Sequence, residues 1–383
     1  MSDAISDINV NNTKARIIAF YLPQYHPITE NNEWWGKGFT EWTNVGRAKP
    51  LFKGHYQPRV PADLGYYDLR IAEIREEQAI MAKNAGIYGF CYWHYWFGNG
   101  KRLLEKPFNE VLDSGKPEYP FCLGWANESW EAKVWNANDV IKNKVLIEQK
   151  YPGKADNEIH FYQLLKAFKD NRYITVDKKP IFLIYKPELY KNIDLFIKEW
   201  NELAVKNGID SGLYFVAHTS SFINYDLLIK CGFNAVTVNP ISRVINHYNT
   251  LQFLKIYNIL RRLIFGPCYK KLTVIKYSDA INYFINLNED SLDNVIPTII
   301  PNWDHSPRSG KNGLILIDST PKLFEKCVNN ALQCVRYKPH ENKIIFLKSW
   351  NEWAEGNYIE PDIIFGHQYL DVIKNIIFHK NIF

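Results

Sequence analysis

The chain has 383 residues and a formal net charge of +5; 46% of it is apolar and 23% charged, the make-up of an ordinary globular protein. So mild a charge excludes a dedicated nucleic-acid surface, and six scattered cysteines without a Cys-x-x-Cys pair leave zinc and dithiol chemistry unsupported. Aromatic residues are the outlier at 15%, with 12 Trp and 24 Tyr, a surplus of indole and phenol of the kind that lines a binding surface.

Residues 1–15 read as a polar tail with no basic region ahead of an apolar run, and the first apolar run, 17–22, is too short for a signal-peptide core or a membrane span. A cytoplasmic protein is expected. From residue 16 to 383 short apolar runs alternate with helical patterns, the rhythm of a parallel α/β fold. The runs are 16–21, 89–93, 121–125, 181–185, 213–217, 235–238, 295–300 and 343–347, with helices predicted over 71–84, 157–169, 190–206, 320–334 and 367–378. Eight strands in this order predict a single-domain (β/α)8 TIM-like barrel with long βα loops. One such loop, 31–67, carries Trp34, Trp35, Phe39, Trp42 and Tyr56 and is expected to supply substrate contacts. A second stretch, about 246–286, reads as a helical insertion that is both apolar and basic. Its plain interpretation is a helical pair with a solvated basic side; a sharper one is a surface that meets anionic lipid or a lipid-linked glycan.

Nearly every run ends in aromatic and polar residues. In a barrel the C-terminal strand ends converge on one face, which holds the active site. Tyr25 and His26, Trp93, His94 and Trp96, Trp125, Asn127 and Glu128, Tyr185, Trp303 and Asp304, and Trp350 and Asn351 are therefore candidates for substrate binding. Glu128, Asp304 and Glu41 could equally serve as ion-pair or capping groups.

The densest chemical signal is Trp350-Asn351-Glu352-Trp353-Ala354-Glu355-Gly356, directly after the last run. Glycoside cleavage needs one carboxyl to protonate the leaving oxygen and a second to act as base or nucleophile. Residues three apart on a helical turn have Cβ atoms roughly 5–6 Å apart, which suits two groups flanking one bond. Apolar walls from Trp350 and Trp353 would raise a carboxyl's pKa and favour an acid at neutral pH. Glu352 and Glu355 are accordingly the candidate catalytic pair. No phosphate-binding glycine loop, dinucleotide fingerprint, His-Glu-x-x-His or Asp-x-Asp occurs, so neither a cofactor nor a metal is expected.

These motifs resemble those of WbsX-type proteins of bacterial polysaccharide gene clusters, which are similar to glycoside hydrolase family 99. The resemblance runs from Ile17-Ile18-Ala19-Phe20-Tyr21-Leu22-Pro23-Gln24-Tyr25-His26 through Trp34-Trp35-Gly36-Lys37-Gly38-Phe39-Thr40-Glu41-Trp42 to Trp350–Gly356. WbsX-type proteins carry a glycosyltransferase label from genetic context, whereas family 99 enzymes are retaining endo-α-mannosidases on a (β/α)8 barrel. The resemblance implies Glu355 as general acid and later base. It implies Glu352 as the base that deprotonates the sugar 2-hydroxyl, which displaces the leaving group to give a 1,2-anhydro sugar that water opens. Tyr25, Trp93, Trp96 and Tyr185 correspond to the family's sugar contacts. Ala354 stands where family 99 enzymes commonly have His. The expected partner is an oligo- or polysaccharide of surface-polysaccharide assembly, processed by a retaining endo-glycosidase; a glycosyltransferase or a non-catalytic glycan-binding barrel are the alternatives.

Overall fold

The computed structural model describes residues 13–135, 141–250 and 272–378. The core is a parallel barrel of β1 (Arg16–Tyr21), β2 (Ile87–Trp96), β3 (Phe121–Trp125), β4 (Lys179–Ile184), β5 (Tyr214–Thr219), β6 (Ala235–Val238), β7 (Thr298–Ile299) and β8 (Ile344–Leu347). The strands pair in the order β6-β5-β4-β3-β2-β1-β8-β7. Closure between β6 and β7 rests on hydrogen bonds from Val236 N–H to Asn294 C=O (2.9 Å) and from Ile296 N–H to Val236 C=O (2.8 Å). A buried Thr237–Thr298 hydroxyl contact of 2.8 Å joins the same two strands. The fold is the expected (β/α)8 TIM-like barrel.

Strands buried on both faces read as continuous apolar runs, and β1, Arg16-Ile-Ile-Ala-Phe-Tyr21, is buried beyond its first residue. The outer layer comprises α1 (Ala72–Asn84), α2 (Lys106–Ser114), α3 (Lys154–Phe168), α4 (Ile193–Lys206), α5 (Tyr225–Lys230), α6 (Tyr277–Phe284), α7 (Pro321–Val335) and α8 (Gln368–Phe378). In α7 the Thr320 hydroxyl accepts from Leu323 N–H (3.3 Å), Pro321 opens the helix, and Phe324, Cys327, Val328, Ala331, Cys334 and Val335 form the buried stripe. The short helices α2 and α5 are additions to the expected set.

Successive strand residues point to opposite faces, and in this barrel the alternation decides what reaches the site. Phe20, Trp93 and Phe346 point inward and stack, with centroids 4.9 Å (Phe20–Trp93) and 5.0 Å (Phe20–Phe346) apart, making an aromatic floor near the C-terminal mouth. Gly124 allows this, since a Cβ there would lie 3.1 Å from the Trp93 ring.

After β3 a hairpin, Trp130–Trp135 with Ile141–Ile147, precedes α3. Of the expected insertion at 246–286, residues 251–271 lie outside the described residues, with most of its basic side chains; the tail at 1–15 is described only from residue 13. The described parts are not uniformly helical: Thr273–Lys276 is a strand that pairs in parallel with Leu314–Ile317, because its β-branched residues find a second strand to join. Among the described residues no helix is long and apolar enough to cross a membrane.

Candidate active site

The turn after β8 is held from several sides. Trp350 N–H donates to Phe20 C=O (2.7 Å), anchoring the turn to β1. The Asn351 side chain accepts from Leu22 N–H (2.8 Å) and donates to Leu22 C=O (3.1 Å). Asn351–Glu352 then pairs antiparallel with Asn357–Tyr358, and between them Trp353–Glu355 forms one 3-10 turn. The Tyr25 hydroxyl donates to Asn351 C=O and accepts from Trp353 N–H (3.1 Å). Gly356 closes the turn at φ 56°; a Cβ there would lie 2.6 Å from Asp304 Cβ. Asp304 N–H donates to Glu355 C=O (2.7 Å), and the Asp304 carboxylate accepts from His55 (2.8 Å), Gln57 (2.7 Å) and Ser306 N–H (3.0 Å). Beneath the turn the buried Glu360 carboxylate accepts from Gln78 (2.6 Å), the Trp353 indole (2.7 Å) and the Tyr67 hydroxyl (2.8 Å).

This frame brings Glu352 and Glu355 together in different surroundings. Glu352 is buried and accepts from the Trp93 indole N–H (3.2 Å). Burial pushes its pKa up to about 8, and the neighbouring Glu355 charge adds to the rise; Lys348 and Arg308 only partly oppose it. Glu355 accepts from the Arg308 guanidinium and lies 3.6 Å from His305 Nε2. Burial would raise Glu355 as well, but Arg308 and His305 outweigh it and hold this carboxyl well below the usual range. Arg308 is itself forked, its Nε donating to Glu41 (3.1 Å). Two adjacent carboxyls so divided share one proton around neutrality, and the resting proton sits on Glu352.

The substrate-binding candidates separate into three groups. Trp93 and Tyr185 stand by the pair: the two rings meet edge-on at 5.4 Å, and both carboxylates, after burial and Glu128, raise the Tyr185 hydroxyl's pKa. Glu128 is ion-paired to Lys186 at the same end of β4, and Trp303 lies under Lys348 with its ring centroid 5.4 Å from Nζ. A second group holds backbone instead of facing the mouth. Tyr25, Asn351 and Asp304 do so as described, Asn127 ties β3 to β4 through Lys186 N–H and C=O (both 2.7 Å), and Trp350 is buried against Phe90. A third group points elsewhere, contrary to expectation. His94 meets His160 on α3 (2.8 Å), Trp96 donates to Asp156 on α3 (3.0 Å), and Trp125 packs on Phe196 of α4. Strand parity explains these, since they alternate with the inward Trp93 and Gly124. His26 turns to Pro23 C=O (2.9 Å), with Asp68, Arg70 and Lys106 as its charged neighbours.

Residues that sequence reasoning missed are the cations Arg308, His305 and Lys348 and the underlying Glu360. Their signal was faint: Lys348 follows β8 directly, where charge at a strand end is unremarkable until the barrel closes, while His305 and Arg308 in the loop after β7 and Glu360 beyond the turn after β8 stand away from the strand ends. In the long first loop Glu41 reaches the site through Arg308, while Trp42 packs on Trp353 (5.6 Å) and supports the turn. Among the described residues no three His, Cys, Asp or Glu side chains cluster as a metal-holding group.

Set against known proteins, residues 17–373 match the model of a family described as "Glycosyltransferase WbsX". Two curated relatives, each described as "Uncharacterized protein WxcX" from Xanthomonas campestris pv. campestris, are 34% identical over 372 and 368 residues, 94% of this chain and 49% of the relative in both cases. The chain thus spans about half the length of the curated relatives it matches. Among solved structures, a "Glycoside hydrolase-like protein" is similar at TM-score 0.57 and 16% identity, covering 98% of this chain and 97% of the other. The family 99 endo-α-mannosidase from Bacteroides thetaiotaomicron is similar at TM-score 0.55 and 16% identity, covering 94% and 96%. At such identity the likeness is one of fold, a glycoside hydrolase-like barrel.

Proposed function

The chain belongs to the WbsX family, and from that premise we propose that it is a glycan-cleaving enzyme in which Glu352 and Glu355 act as a pair sharing one proton. The observation that carries this is their convergence above the Trp93 floor with pKa values pushed apart, Glu352 up and Glu355 down. Groups split in this way are suited to donate and accept protons in one reaction. In the proposed reaction one carboxyl protonates the glycosidic oxygen as it leaves, and the other removes the proton of the 2-hydroxyl, whose oxygen closes on the anomeric carbon. Water then opens the 1,2-anhydro sugar: the carboxylate left by the first step takes a proton from the attacking water, the other carboxyl gives its proton back to O2, and the starting charge state returns with the anomeric configuration retained. The trans arrangement of O1 and O2 that this requires is found in an α-mannoside. The fitting substrate is an oligo- or polysaccharide intermediate of surface-polysaccharide assembly, handled without a metal or cofactor.

The roles implied by the family resemblance, Glu355 as acid and Glu352 as base, run against the resting charge state. They require the shared proton to cross to Glu355 once the glycan has displaced the Arg308 contact. Incubation with defined oligosaccharides and the host's surface polysaccharide, followed by mass spectrometry, tests the reading as a whole: cleavage lost in Glu352→Gln and Glu355→Gln supports it. A protein that cleaves nothing yet saturably binds a nucleotide sugar would be a transferase, as the family's description has it. An aryl glycoside, whose leaving group departs without a proton, assigns the roles: the variant it rescues lacks the acid.

A further inference from the structure

Among the described residues, Lys186, Arg308 and Lys348 bring lysine and arginine charge to this end of the barrel, and the first two are accounted for. Lys186 pairs with Glu128, and Arg308 is divided between Glu41 and Glu355. Lys348 differs. It is only 5% exposed, yet among the described residues its ammonium has neither a hydrogen-bond acceptor nor a carboxylate within 4.0 Å. The nearby carboxylates are already engaged, Glu355 by Arg308 and His305 and Glu352 by the Trp93 indole. An ammonium held at the mouth without its own counter-ion is placed to receive an anionic group by a charge-assisted hydrogen bond.

Its direction is set by the strand. Phe346 of β8 faces the barrel interior against Phe20, so Lys348, two residues on, leaves the strand on the same side. There Nζ lies 5.4 Å from the centroid of the Trp303 ring, and its charge acts on Glu352, Glu355 and His218. His218 adds no second cation, since burial, with Lys348 next in effect, drives its pKa down to about 3. Its Nδ1 is engaged with Tyr185 C=O (3.2 Å). The result is one unpaired ammonium beside an indole, next to the catalytic pair.

We propose that Lys348 is the cation of an anion subsite and that the glycan carries an acidic sugar whose carboxylate it receives. This deepens the glycan reading above and rests on it. A sugar ring seated in the mouth beside Glu352 and Glu355 would present its exocyclic carboxylate to Lys348, which Trp303, itself stacked on His305, holds in place. A carboxylate matches one ammonium in charge; a phosphoryl dianion would leave an excess negative charge beside Glu355. Arg308 starts from two carboxylate contacts, Glu41 and Glu355, and only the second is given up in the proposed reaction, whereas Lys348 starts from none.

The test is binding, measured calorimetrically on the full chain without turnover. Probes are a panel of methyl hexuronosides with the matching hexosides, the neutral uronamides and the hexoside 6-phosphates. At least one hexuronoside is expected to bind roughly 10- to 100-fold more tightly than its hexoside, the range of one charge-assisted hydrogen bond. The uronamide should fall back to the hexoside's level, a comparison that needs no variant. Lys348→Met should erase the preference, and Lys348→Arg should keep most of it. Equal affinity within every pair, binding of no acid, stronger binding of the phosphates, or a preference that survives Lys348→Met overturns the proposal. Cleavage of neutral glycans with no acid preference would sink the subsite and leave the glycosidase standing. Acid binding through Lys348 with no cleavage of any glycan would do the reverse.

Discussion

The last four residues of β2 and the turn after β8 stand one strand apart, both rich in Trp, and the fold uses them in opposite ways. Along β2 the chain stays regular, so the pleat divides Trp93-His94-Tyr95-Trp96 between two faces. Trp93 goes to the carboxylates, while His94 and Trp96 go to α3. After β8 the chain leaves the sheet through a two-residue ladder, a 3-10 turn and a left-handed glycine. That irregular path puts Trp350 and Trp353 beneath and brings Glu352 and Glu355 to one place. A regular strand end halves a motif; a turn gathers it.

Substitutions at the two sites should separate these uses. The largest effect is expected at the turn, where Glu352→Gln and Glu355→Gln should each lower kcat on a natural glycan by roughly 10²–10⁴-fold. Trp96→Phe should leave kcat unchanged, and steady-state kinetics on all three variants checks the contrast. Next in size is Trp125→Ala, which removes an indole from between β3 and the α4 layer. Chemical denaturation should show a loss of about 3–5 kcal/mol, with the turnover of the folded fraction unaltered; a kinetic defect would put Trp125 back at the site.

A third expectation concerns pH. Burial lifts the Glu360 pKa to about 7 against an ordinary 4.5, so between those values the folded protein holds a proton that the unfolded chain has released. Stability should therefore fall as pH rises from 4.5 to 7, by on the order of 3 kcal/mol for this group. Denaturation at pH 5 and pH 7.5 should show a shallower fall in Glu360→Gln. Activity has its own limb: the proton shared by the pair is lost as pH passes about 8, the raised Glu352 value, so kcat/KM should decline above it. The smallest effect is expected for Trp93→Phe, which keeps the floor but removes the indole donor to Glu352. That limb should then shift by a few tenths of a pH unit toward alkali, because a hydrogen bond that favours the charged carboxylate is gone.

The eight apolar runs were legible because a strand buried on both faces must be apolar throughout; 16–21, 121–125 and 235–238 coincide with β1, β3 and β6. The helical stripes of α1 and α7 were legible for the same reason, burial written at a period of 3.6. The hairpin strands Trp130–Trp135 and Ile141–Ile147 were not, since they lie outside the barrel and alternate apolar with polar residues instead of forming the continuous apolar run of a strand buried on both faces. Within the site, Glu352 and Glu355 could be picked out because their chemistry and spacing are local. Arg308 and Lys348 could not, because what matters about each is a partner or a vacancy contributed by a distant part of the chain, and Glu41, singled out as a carboxylate, gave no sign that Arg308 was its partner.

Sequence alone thus determined the barrel class and the position of the strand ends, and it singled out the carboxylate pair on which the proposed function rests, because all of these depend on burial patterns and spacing within a few residues. Tertiary structure decided which aromatic residues face the mouth, which carboxyl keeps the proton and which cation at the mouth lacks a partner among the described residues. Inward or outward facing is a matter of strand register, where a shift of one residue exchanges the faces. Proton placement is a matter of burial and of charges such as Arg308, 47 positions from Glu355 along the chain and in contact with it only once the barrel has closed.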